Sequence, residues 1–127
     1  MPDSIFTRII KGEIPVHKIY EDDKTLAFMD INPVTPGHVL VVPKTQADIW
    51  ALPDEDYQAL MTTVRKVAER VQDVLKPVRT GVQVVGIDVK DHAHVHVIPF
   101  NTVAEFRGLP RTASDSELAT MADMLRF

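Results

Sequence analysis

Cysteine is absent from the 127 residues. Disulfides and thiolate metal sites are excluded, which agrees with a reducing compartment such as the cytoplasm. No apolar run approaches the ~18 residues that read as a membrane span. The first residues, Met1-Pro2-Asp3-Ser4-Ile5-Phe6, lack the basic region and apolar segment of a secretory signal. Surplus positive charge is missing as well: 14 Lys and Arg stand against 18 Asp and Glu, a net charge of −4. This argues against binding polymeric nucleic acid, which rests on Lys and Arg contacts to phosphate. A small phosphate ligand stays allowed, because a pocket's local field can differ from the global charge. Internal repeats, low-complexity segments and shifts of composition are also lacking. Residues 1–127 therefore read as a single domain, large enough to bury a real core.

What is present sorts into alternating elements. Ser4 suits the N-cap of a short helix through about Lys11, ended by Gly12 with Pro15 just beyond. Residues 17–21 and 24–30 read as strands joined at the acidic turn Asp22-Asp23. Asn32-Pro33-Val34-Thr35-Pro36-Gly37 is turn punctuation, delivering the chain into His38-Val39-Leu40-Val41-Val42-Pro43, a strand buried on both faces. Tyr57, Leu60, Met61, Val64, Val67, Ala68, Val71, Val74 and Leu75 recur at three- and four-residue spacing and predict a long amphipathic helix. Pro53 and the acidic Asp54-Glu55-Asp56 suit its start, and Lys76-Pro77 stops it. Residues 82–85 and 91–100 are expected as the fourth and fifth strands, and residues 114–126 as a final helix. Strands, helix, strands, helix, without a repeating βαβ unit, predict an α+β fold: an antiparallel sheet with helices packed on one face.

The chemistry concentrates in His92-Ala93-His94-Val95-His96-Val97-Ile98-Pro99. Successive strand side chains point to opposite faces, so His92, His94 and His96 share one face and the apolar residues the other. Such an imidazole face has to meet a ligand, a metal or its own members. A metal is one reading, but the outer two rings start about 13 Å apart along an extended backbone. Holding one ion would need strong bending, or help from His38 or a carboxylate. Phosphoryl chemistry is the other reading: one ring attacks phosphorus while its neighbours bind the non-bridging oxygens.

The triad with its two following apolar residues resembles the signature of the histidine triad (HIT) superfamily. The resemblance continues through Ser4-Ile5-Phe6-Thr7-Arg8-Ile9-Ile10-Lys11-Gly12-Glu13-Ile14-Pro15, Tyr20-Glu21-Asp22-Asp23, Leu26-Ala27-Phe28-Met29-Asp30-Ile31-Asn32-Pro33 and Thr35-Pro36-Gly37-His38-Val39-Leu40-Val41-Val42-Pro43-Lys44. In this order the segments are similar to the Hint-like branch of nucleoside phosphoramidases and their bacterial relatives. The resemblance implies a five-stranded HIT fold whose sheet extends across a homodimer. It implies a hydrolase or transferase acting at the α-phosphate of purine nucleoside phosphoramidates or related adenylates, without a cofactor, through a nucleotidyl-histidine. Within it His94 is expected to be the nucleophile, His92 to orient it through the backbone carbonyl, and His96 to bind the phosphate and assist the leaving group. The resemblance further implies that His38 stands beside the triad, that Asp30 takes the ribose hydroxyls, and that Phe28, Ile31, Ile14 and Phe6 surround the base. A dinucleoside polyphosphate hydrolase, with Arg107 or Arg111 reaching further phosphates, and a noncatalytic nucleotide-binding scaffold are the alternatives.

Two departures from the family pattern stand out. Many relatives bind zinc through N-terminal cysteines and a histidine after the Pro-Lys strand end. Here Ser4 and Thr7 hold the cysteine positions and Thr45-Gln46-Ala47 lacks the histidine, so no metal is expected. The loop before the triad is only Gly86-Ile87-Asp88-Val89-Lys90-Asp91, without the asparagine and Gly-Gln or Gly-Ser pair that touch phosphate in relatives.

Overall fold

A computed structural model describes residues 2–127; Met1, where the expected single domain begins, lies outside the described residues. Ser4 caps α1 (Ile5–Ile10), its hydroxyl accepting from the Thr7 N–H at 3.0 Å. Strands β1 (Lys18–Glu21) and β2 (Thr25–Met29) form the expected hairpin. One oxygen of Asp22 closes its turn by accepting from the N–H groups of Lys24 and Thr25 at 2.9 and 2.8 Å. Gly37 precedes β3 (Val39–Pro43) with φ +95°, and a Cβ there would meet Leu75 at 2.5 Å and Pro99 at 3.2 Å. Only glycine fits that turn. The long helix α2 (Asp54–Leu75) begins after Pro53 and ends where Lys76 turns left-handed at φ 50°. Strands β4 (Arg79–Gln83) and β5 (Val95–Phe100), the single turn α3 (Val103–Phe106), and α4 (Asp115–Leu125), capped by Ser114, complete the chain.

The five strands form one antiparallel sheet in the order β1-β2-β3-β5-β4. Ala27, Met29, Val39, Val41, Val95 and Val97 face Leu60, Val64, Val67 and Val71 of α2 and Leu118, Ala122 and Leu125 of α4. Short α1 covers part of the opposite face, where Phe6 and Ile9 pack on Leu26, Phe28, Leu40 and Val42. This second cluster leaves room beside it for the histidines.

Three strands fall within one residue of expectation at either end, and two, the fourth and fifth, differ by more. The fourth strand is Arg79–Gln83 rather than 82–85, because β5 offers partners only from Phe100 back to His96. Val84 and Val85 fall beyond that ladder and are exposed. The fifth strand starts at Val95 rather than 91. Ahead of it, the Pro43 carbonyl accepts from the His92 ring at 2.8 Å, and the Ala93 N–H donates to the Ala47 carbonyl at 2.8 Å. A side chain and a loop thus take the backbone partners that a longer ladder would have used.

Candidate active site

His92 and His94 lie just ahead of β5 and only His96 lies in it, yet the alternation persists: Ala93, Val95 and Val97 enter the main core. The three rings follow one another along the opposite face. Phe6 stands edge-on to His92 at 5.5 Å between centroids and lies 4.9 Å from His94. His94 lies 5.5 Å from His96, which lies 5.1 Å from His38. His38 belongs to the row because Gly37 turns the chain onto β3 beside β5, where Leu40 pairs with His96.

Hydrogen-bond partners fix the tautomers. A carbonyl only accepts, so His92, whose Nε2 faces the Pro43 carbonyl at 2.8 Å, carries its proton there. Its Nδ1 is a lone pair and accepts from the Ser4 hydroxyl at 2.6 Å. His94 Nδ1 faces the His92 carbonyl at 3.0 Å, so the proton of the neutral ring sits on Nδ1 and Nε2 is a lone pair. That Nε2 has no partner among the described residues, and none of their buried side-chain nitrogens or oxygens is left without one, so it opens to solvent. His38 Nδ1 accepts the Val34 N–H at 3.0 Å, so Nε2 is protonated and donates to His96 Nδ1 at 2.9 Å. His96 then carries its own proton on Nε2. The row presents one outward lone pair, on His94, next to one outward donor, on His96.

Burial disfavours the charged form of three rings, His38, His96 and His92. Burial, with a smaller contribution from His96, pushes His38 down to about 3. Burial, then His94, pushes His96 down to about 4, against a weaker upward pull from Asp88. Burial lowers His92 too. Asp30 directs Oδ2 at His38 Nε2 (3.5 Å) and His96 Nδ1 (3.8 Å), while Oδ1 accepts the Asn32 N–H at 2.8 Å. Burial raises the Asp30 carboxyl above its ordinary range. With both rings neutral, these contacts are not ion pairs.

Asp30, His38 and His96 place one ligand atom each within 4.8 Å of one another. Their protonation does not suit an ion. A metal-bound histidine normally donates its second ring N–H, whereas His38 accepts at Nδ1 and holds its proton on the nitrogen that would have to coordinate.

The other expected residues divide by position. Phe6 and Phe28 are buried, 6.2 Å apart, and form an apolar floor. Ile14 packs at its margin, while Ile31 is exposed. Asp88 and Lys90 are exposed, and Val89 leans on the floor. Arg107 is exposed after α3. Arg111 lines a groove of about 650 Å³ with Met29, Leu118 and Met121, on the helix-packed side of the sheet and away from the triad. His17 bonds Asp115 at 2.8 Å.

Residues 11–103 match the HIT domain. The chain belongs to the histidine triad (HIT) family. It is 34% identical over 122 residues to an adenosine 5'-monophosphoramidase of Candida albicans, spanning 87% of this chain and 80% of that one. A Hit-like protein of Bartonella henselae has the same fold at TM-score 0.83 and 30% identity, covering 96% of this chain and 93% of its own. A zinc-bound histidine triad protein of Mycobacterium smegmatis superposes with TM-score 0.80 at 26% identity, over 96% and 89% of the two chains. The α+β sheet and the HIT resemblance expected from the sequence are both found.

Ser4, Thr7 and Gln46 do meet around His92, as the zinc pattern of some HIT proteins would have them. They offer two neutral hydroxyls and a carboxamide in place of thiolates and imidazole, a poor donor set for zinc. The Gln46 amide is already saturated: Oε1 accepts from Ser4 N (2.9 Å) and Thr7 Oγ1 (2.6 Å), and Nε2 donates to Pro2 O (2.9 Å) and Asp91 Oδ2 (3.0 Å). The sequence marks Gln46 only as a missing histidine. Its part in the network rests on contacts 39 to 45 residues away in the chain, for which no local pattern exists.

Proposed function

We propose that this HIT protein, with residues 1–127 as one domain, is a nucleotide hydrolase or transferase. It acts at the α-phosphate of purine nucleoside phosphoramidates or related adenylates. The observation that carries the reading is the outward lone pair of His94 Nε2, fixed by the Nδ1–H bond to the His92 carbonyl. A nucleophile needs an unprotonated nitrogen held in reach of phosphorus, and this bond supplies both conditions. The phosphoramidase among its relatives adds support for the substrate class.

In the first step the His94 Nε2–P bond forms and the P–N bond breaks. The ring becomes positive, a charge that the His92 carbonyl stabilises through Nδ1–H. His96 donates its Nε2–H to a non-bridging oxygen or to the departing atom. The chain of donors behind it ends at the Val34 amide, so His96 supplies a hydrogen bond rather than a net proton. The leaving amine takes its proton from solvent. Water then attacks phosphorus, the P–Nε2 bond breaks, the water's proton returns to solvent, and the neutral ring is restored. Asp30, on the rim of the row, accepts the ribose hydroxyls with Oδ2, and the base lies over Phe6 and Phe28 between Ile14 and Ile31. No step needs a metal.

We further infer a cytoplasmic homodimer joined through β4. Arg126 Nε and Phe127 N occupy the carbonyls of Lys18 and Ile19 on β1 (3.2 and 3.0 Å). The edge at β4 carries exposed Val82, with Val84, Val85 and Ile87 following, a surface suited to pairing. None of the described helices is long and apolar enough to cross a membrane.

Adenosine phosphoramidate in single-turnover quench, followed by intact-protein mass spectrometry, tests the chemistry. A nucleotidyl adduct is expected on wild type and absent, with turnover, from His94→Ala; chelator leaves the rate unchanged. Turnover persisting in His94→Ala, or lost to chelator, refutes the mechanism. Diadenosine polyphosphates run in parallel rank the alternative substrate, and tight binding without adduct would indicate a scaffold.

A further inference from the structure

The network around His92 joins residues from three parts of the chain. Ser4 Oγ accepts from the Thr7 N–H and donates to His92 Nδ1 at 2.6 Å. Gln46 holds Ser4 N, Thr7 Oγ1 and the Asp91 carboxylate with one amide group. Three remote segments are thereby tied together: the start of α1, the chain after β3, and Asp91-His92 at the opening of the triad. The His92 ring at their centre is fully buried. Its other nitrogen is tied to the Pro43 carbonyl, so both faces of its hydrogen bonding are specified. Phe6, two residues after Ser4 on the same helix, touches both His92 and His94.

From this geometry we infer that Ser4, braced by Gln46, is a positioning residue: its hydroxyl holds the His92 ring and main chain in register, and the His92 carbonyl in turn aims His94. The inference rests on the proposed role of His94 as nucleophile. The His94 ring has one anchoring hydrogen bond, at 3.0 Å to that carbonyl. A shift of the carbonyl therefore passes directly to Nε2. Displacing a reacting atom by ~1 Å costs on the order of 100-fold in rate. Where a metal would fix these segments by coordination, hydrogen bonds through two hydroxyls and one carboxamide do so here.

Three variants separate positioning from capping. Ser4→Ala removes both the cap and the donor. Ser4→Gly keeps most of the cap, since glycine is well tolerated at a helix N-cap, but removes the donor. Ser4→Thr keeps both. Expected results are a kcat lowered about 10-fold to 100-fold in Ser4→Ala and Ser4→Gly, with KM unchanged and activity restored in Ser4→Thr. Ring-nitrogen NMR supplies a readout independent of turnover. Wild type should show His94 as a single Nδ1–H form, whereas Ser4→Gly should show a mixture of the two neutral tautomers. A folded Ser4→Gly with wild-type kcat and unchanged His94 nitrogen shifts overturns the inference. If wild type turns over nothing while the tautomer of His94 still depends on Ser4, the functional reading fails and the positioning network stands.

Discussion

Acidification tests whether burial holds His38 and His96 neutral. His38 and His96 are pushed from 6.5 down to about 3 and about 4, both chiefly by burial, and His92 moves the same way. Above the ordinary imidazole pKa the folded and unfolded states are both uncharged, and the stability is fully present. As pH falls from 6.5 toward 4, the unfolded chain binds protons that the folded rings refuse, and stability is lost. One such ring changes stability by ~1.4 kcal/mol per pH unit. Between about pH 7.5 and about pH 5 this amounts to roughly 2 kcal/mol per ring. His38 and His96 together give roughly 4 kcal/mol, a ceiling because they share a hydrogen bond and titrate as a pair. That is a large share of the ~5–15 kcal/mol typical of a domain. Asp30 works in the opposite direction, since its raised carboxyl lets the folded state gain a proton; Asp30→Asn removes this contribution. Urea titrations across the range, with a constant m-value, give the loss directly, and its slope gives the protons taken up on unfolding. His38→Phe should reduce that uptake by about one proton near pH 5. Stability that is flat or rising from neutral pH to about pH 5 in Asp30→Asn, or an unchanged slope in His38→Phe, would refute the neutral His38–His96 pair.

Asp30→Ala should raise KM for a ribonucleotide substrate by roughly 10-fold, the scale of one charge-assisted hydrogen bond, and barely change it for the 2',3'-dideoxy analogue; equal effects on both would remove the ribose role. Val82→Lys on the exposed β4 edge should shift sedimentation from dimer to monomer without changing far-UV circular dichroism, whereas a wild type that sediments as a monomer at micromolar concentration would dispose of the pairing.

Local pattern in the chain already determined most of the scaffold. The three- and four-residue spacing of Leu60, Val64, Val67 and Val71 defines α2, because a helix can bury only the residues that its own period brings to one side. Ser4 and Lys76-Pro77 marked helix ends through capping and steric rules that act within a few residues. The alternation of histidine with alanine and valine placed the rings on one face, even where no ladder forms. Tertiary structure decided the rest. The limits of β4 and β5 depend on which residues find partners, and a ring nitrogen of His92 took the carbonyl that would have extended the sheet. Which nitrogen of each ring bears its proton follows from Val34, Pro43, Ser4 and the His92 carbonyl, all but the last distant in sequence from the triad motif. Residue type gives a histidine two possible neutral forms; only the acceptors and donors that folding brings to it select one.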